Sequence, residues 1–179
     1  KIQLQHCGRI RGKNDFWRFP LGLNPNYGIS LGNSIVFTDS IPLFAIAFKL
    51  FKNFLSDNFQ YFSFWIFLCI YLQLLFAYLI VFKKTNNLYF SIIASIFFII
   101  SPIFVHRSGI HLSLMGQWLM LFAFYIEILE TKYKSTLRGF CIVLSCTIHF
   151  YFTIILIIFN FIVQLFRFFE NKKSFLKIF

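Results

Sequence analysis

The chain has 179 residues, of which 59% are hydrophobic and only 13% charged, with a mean hydropathy of +0.74. So low a charged share excludes an ordinary water-soluble domain, in which about a quarter of residues are charged. The formal net charge of +11 does not indicate a nucleic-acid binder, because the cations form short clusters between long apolar runs. That is the pattern of a multi-spanning membrane protein whose basic clusters meet anionic lipid headgroups.

Residues 1–16 are polar and basic, carry Arg9, Arg11, Lys13 and Asp15, and show no sustained periodicity. The chain starts at Lys1 without Met or an apolar leader, so the expectation is a piece of a longer protein. Residues 17–43 (WRFPLGLNPNYGISLGNSIVFTDSIPL) hold Pro20, Pro25 and Pro42 together with Gly22, Gly28 and Gly32. Proline fixes φ and removes a donor, glycine admits turns, and Asn24, Asn26 and Asn33 can bond their own backbone. A turn-rich loop of about two dozen residues is uncommon unless it is functional or disordered, and its aromatic content argues against disorder. The plainer reading is a surface linker between helices.

An apolar stretch at about 40–52 follows, with Ser40 as the expected N-cap and Pro42 in the first turn. About a dozen residues is too short to span a bilayer, so an interfacial helix is expected. Spanning helices are then expected at about 59–82, 88–105 and 112–130, separated by Lys83-Lys84-Thr85-Asn86-Asn87 and by a short link at 106–111. The last apolar run, 137–166, would be ~45 Å long as one helix against a hydrocarbon core of ~30 Å. A break near His149 into helices at about 137–149 and 150–168 returns Arg167 to the side of Lys83 and Lys84, as the positive-inside tendency asks. The expected architecture is therefore an all-α, polytopic transmembrane bundle. It has an extracytoplasmic loop region, 1–58, and a membrane region, 59–179. In this topology the loop and the 106–111 link share the extracytoplasmic face.

Cys69, Cys141 and Cys146 lie inside apolar runs with no CxxC or Cys/His ligand spacing, so they read as small hydrophobes. Asp39, at the end of the loop, is the foremost candidate catalytic residue. A carboxylate there can orient an acceptor hydroxyl or hold a divalent cation that bridges a donor phosphate. It can equally cap the following helix. His106, Arg107 and His111 form a cationic rim suited to phosphate oxygens, or to plain headgroup anchoring. Asn24 in the loop and His149 inside its apolar run complete the candidate substrate-binding set, the latter because a mid-membrane histidine is costly unless it faces protein or a cavity. Glu127, beside Glu130, Lys132 and Lys134, reads as part of a solvated helix end. No cofactor motif is present.

The segments FPLGLNPNYG (19–28), SIVFTDSIPL (34–43) and FQYF (59–62), with Trp65 and Gln73, resemble an uncharacterised bacterial family of multi-spanning proteins. GIHLSLMGQWLM (109–120) matches except that Gln117 stands where the family often carries His, and IHFY (148–151) matches with Phe150 in place of proline. That family resembles the GT-C superfamily. The resemblance implies a GT-C-like glycosyltransferase of the bacterial cytoplasmic membrane, with a polyprenyl-phosphate sugar donor on the extracytoplasmic face. The family's first helix and its Gly-Asp motif would lie before Lys1, so transfer activity is not expected of these residues alone. The competing expectation is a non-catalytic or transporter-like membrane protein, or an inactive truncated product.

Overall fold

A computed structural model describes residues 23–24, 33–34, 41–51, 54 and 60–176, without the side chains of residues 23–24, 33–34, 49 and 171–176. It is helical, apart from a two-residue antiparallel ladder of β1 (Leu23–Asn24) and β2 (Asn33–Ser34), in which Asn24 pairs with Asn33. The helices are α1 (Pro42–Leu50), α2 (Phe62–Thr85), α3 (Leu88–Ile100) and α4 (Pro102–Ile110). A 3-10 turn (Leu112–Met115) leads to α5 (Trp118–Ile128), α6 (Lys134–Ile148) and α7 (Phe150–Leu176).

Among the described residues two helical segments, Phe62–Thr85 and Phe150–Glu170, are long and apolar enough to cross a membrane. The pair α3 and α4 makes a third if it is one span, bent by 44°. The bend falls at Ser101 and Pro102, where proline lacks the N–H of an unbroken helix and drives the preceding residue out of the α region. Ser101 accordingly has φ −47° and ψ 125°. Pro102 therefore starts a helix rather than ending one. The expected link at 106–111 is corrected on this point, because His106 and Arg107 sit within α4.

Other bounds also differ from the sequence reading. Helix α2 runs to Thr85 instead of stopping at Phe82, since apolar stems let Lys83 and Lys84 occupy its last turn. Asn86 closes it in the left-handed region at φ 51°, its N–H donating to the Phe82 carbonyl, and Asn87 caps α3 by accepting from the Phe90 N–H at 3.1 Å. Helix α1 begins at Pro42 after Ile41, whose carbonyl accepts from the Phe44 and Ala45 N–H groups. The stretch expected as one helix at 112–130 is a 3-10 turn followed by α5. The break expected near His149 is present, and the helices on either side of it are longer than 137–149 and 150–168: α6 has 15 residues and α7 has 27.

The buried face of α2 is a stripe at every fourth residue: Trp65, Cys69, Gln73 and Ala77. Helix α3, which packs along α2, buries Ser91 and Ser95, whose hydroxyls donate to the Asn87 and Ile92 carbonyls. Small residues at this spacing let two backbones approach closely, which is how helices associate where burying apolar surface gains little. The opposite faces of α3 and α7 leave Phe97, Ile100, Phe161 and Phe166 exposed, as lipid-facing surface requires.

Ring and backbone contacts fix the directions. The Trp65 indole N–H donates to the Leu112 carbonyl at 2.7 Å, while Phe76, three turns further on, packs against Trp118, Phe122 and Tyr125. Helices α2 and α5 thus run side by side in the same direction. Helix α6 returns, since the Cys141 thiol lies 3.7 Å from the Leu119 carbonyl and Ile148 packs on Gly116. Helix α7 reverses again. The Ser145 and Thr153 hydroxyls are hydrogen-bonded at 3.1 Å near the break, and at the far end Arg167 of α7 reaches Glu127 of α5 at 2.6 Å. Arg138 of α6 forks onto the same carboxylate at 2.6 and 3.0 Å. Glu127 is consequently a half-buried anchor for three helices, not the solvated end that its local sequence suggests.

Candidate functional site

The bundle has two unlike ends. One carries the α2–α3 turn, the α5–α6 turn and the later part of α7, and is rich in lysine and arginine. The other gathers α1, the start of α2, the turn between α4 and α5, and the break between α6 and α7. This second end holds the described histidines.

Its framework is aromatic. Phe44 of α1 lies 6.2 Å from Tyr61 and 5.3 Å from Trp65, ring centre to ring centre, and Phe48 stacks on Tyr61 at 5.8 Å. Tyr61 and Trp65 are fully buried, so α1 is fastened to the entry of α2 by rings rather than by backbone pairing. Ile41, immediately before α1, is also fully buried and has φ 47°. A β-branched residue in the left-handed region stores about 1–3 kcal/mol of strain, which only firm packing on every side sustains. This strained residue lies two positions after Asp39, and no sequence pattern announces it.

The second support is Gly116. A Cβ at this position would stand 3.1 Å from the Phe152 ring and 3.2 Å from the Ile148 side chain. Hydrogen in place of a side chain therefore lets the turn before α5 sit directly on the break between α6 and α7. The break itself is built around His149. Its backbone is extended at φ −160° and ψ 130°, its N–H donates to the Ser145 carbonyl, and its carbonyl accepts from the Phe152 N–H. The imidazole Nδ1 accepts from the Tyr151 N–H at 3.1 Å, capping the first turn of α7. At least this nitrogen of the ring therefore has a structural role.

His111 stands at the C-cap of α4, its N–H donating to the Arg107 carbonyl, and its own carbonyl opens the 3-10 turn by accepting from Leu114. His106 and Arg107 lie in the last two turns of α4, where cations complement the helix dipole. The first is exposed and the second half-buried. The structure thus places His106, Arg107 and His111 along one short helix and its cap. It brings His149 to the same end through the contact of Gly116 with Ile148 and Phe152. Asp39 lies outside the described residues, as does Ser40. Asn24 is described only as the backbone of β1. Among the described residues no three His, Cys, Asp or Glu side chains come together as a metal site.

Below this end, Gln73 and Trp118 are buried between α2 and α5, and the Gln73 Oε1 and Trp118 Nε1 atoms have no hydrogen-bond partner among the described residues. The Cys69 thiol beside Trp118 is at best a soft, weak acceptor for the indole N–H. An unpaired acceptor and an unpaired donor on facing helices are costly where water is scarce. Sequence reasoning gave Gln73 and Trp118 no role. They lie 45 positions apart, and only the parallel course of α2 and α5 brings their helices together.

A family model, DUF6311, described as a domain of unknown function, matches residues 12–179. The chain belongs to that family. No curated protein and no solved structure matches the chain.

Proposed function

We propose that this member of the DUF6311 family is the membrane-embedded part of a GT-C-like glycosyltransferase that uses a polyprenyl-phosphate sugar on the extracytoplasmic face. In this reading the histidine end of the bundle is the donor side. Arg107 and His111 bind the donor phosphate, with His106 at the rim and Asn24 contributing from the loop. His149 stands at the floor of the site, and Asp39 orients the acceptor or holds a divalent cation. The observation that carries the reading is the convergence of α1, the turn 111–117 and the break at His149 on one end, opposite the basic end. Phosphate recognition asks for forked, charge-assisted donors at a membrane boundary, and Arg107 with two histidines supplies that chemistry.

The test is sugar transfer, in vesicles with a polyprenyl-phosphate sugar, by these residues joined to the first helix and Gly-Asp motif that the resemblance implies. Asp39→Asn should lower transfer by about a hundredfold or more, as expected when a positioned acid–base group is lost, while helicity and insertion stay unchanged. Loss of folded protein in proportion to activity would make Asp39 a helix cap and remove it from the site.

A second reading rests on the 44° bend at Ser101 and Pro102 together with the break at His149. Paired interruptions in apolar helices are what a transporter uses to line a substrate path, so a transporter-like bundle is the competing function. Uptake of a sugar phosphate by the same vesicles, without transfer, would favour it.

A further inference from the structure

The basic end of the bundle holds an ion cluster that its own charges do not balance. Glu127 accepts two bonds from Arg138 and one from Arg167, while the Lys134 ammonium donates to the Glu127 backbone carbonyl at 2.8 Å. Three cations therefore surround one carboxylate, leaving an excess of two positive charges. Neither Glu130 nor Glu170 makes an ion pair among the described residues.

The geometry leaves donors over as well as charge. A guanidinium has five N–H groups, of which Arg138 spends two and Arg167 one on Glu127. The Arg138 side chain is 11% exposed and that of Arg167 is 39% exposed, so the cluster opens to the outside along α7. The carboxylate does more than offset charge. It fixes the planes of two long side chains that would otherwise lose their freedom on binding an anion. The cluster also lies at the end of α5 and near the end of the candidate span of α7, which is headgroup depth if those helices are in a bilayer.

We propose that Arg138, Arg167 and Lys134, held by Glu127, form a binding site for the phosphate of an anionic phospholipid in the leaflet facing the basic end. A phosphodiester there meets forked guanidinium donors and an ammonium, while its acyl chains lie along the exposed apolar face of α7 that carries Phe161, Ile162 and Leu165. The proposal rests on α2 and α7 crossing a membrane and not on sugar transfer.

Native mass spectrometry of the detergent-solubilised full chain, titrated with phosphatidylglycerol and with phosphatidylcholine, tests it. The wild type should retain the anionic lipid in preference to the zwitterionic one. Arg167→Gln and Lys134→Gln should each lower that preference by about fivefold, the worth of one cation near a membrane surface. Inorganic phosphate at millimolar concentration should not displace the lipid, because it lacks the acyl contacts. Equal retention of both lipids by the wild type overturns the proposal, as does full displacement by inorganic phosphate. If Arg167→Gln does not fold, Lys134→Gln decides, because Lys134 touches only a backbone carbonyl. An undiminished preference in a folded Lys134→Gln protein rejects the site.

Discussion

Gly116 shows how much one missing side chain can position. The turn 111–117 and the break at His149 meet across it, with Phe152 and Ile148 closer than ordinary contact distance to where a methyl group would be. Its φ of −64° suits any residue, so the demand is for space alone. Gly116→Ala should therefore cost about 1–3 kcal/mol by overpacking, and should shift the melting transition in detergent without changing helix content. An alanine variant as stable as the wild type would mean that the break moves freely, and the turn would then not set the position of His149. The same scale shows what sequence could and could not convey. His149 stood out because a histidine inside an apolar run needs a reason. Glu127 did not, because its partners Arg138 and Arg167 lie 11 and 40 positions away and no local spacing joins them. Ile41 was equally silent, since a positive φ at a β-branched residue follows from tertiary packing and not from any turn signal.

Among the elements, helical character and the apolar segments were legible, because long uncharged runs leave few other structures possible. What the runs could not show was how they are cut. Pro102 suggested a stop, yet its missing N–H is harmless at the first position of a new helix, so the chain bends and continues through His106 and Arg107. Lys83 and Lys84 suggested a boundary, but the C-cap at Asn86 sets it, one helical turn beyond Phe82. The turn from Leu112 to Met115 is 3-10 because Trp65 takes its first carbonyl as an acceptor and Gly116 packs against α6 and α7. Both demands come from distant parts of the chain. The family resemblance carries the reading of function, while Asp39, singled out by its place at the end of the loop, lies outside the described residues.

For the whole molecule, the two unlike ends make a prediction about sidedness. In intact vesicles Lys83→Cys and Lys132→Cys should react with an impermeant thiol reagent from one side, and Gly109→Cys from the other, all three positions being exposed. The native cysteines are replaced first in this assay, since Cys146 is itself exposed. Labelling of Lys83→Cys and Gly109→Cys from the same side would show that α3 and α4 do not cross together and would remove the third span.

If α7 crosses a bilayer, the tie between Glu127, Arg138 and Arg167 sets an order in which the chain can enter it. At ~22 Å, 15 residues of α6 fall short of a ~30 Å hydrocarbon core, and they begin with Lys134 and Arg138. Alone, that helix has little reason to leave the ribosome–translocon boundary. Once α7 is synthesised, the Ser145–Thr153 bond and the arrival of Arg167 at Glu127 would let both helices go in as a pair. Nascent chains arrested after residue 149 should leave α6 open to protease, and chains extended past residue 176 should protect it. Equal protection at both lengths would mean that α6 partitions on its own and that the tie forms only afterwards.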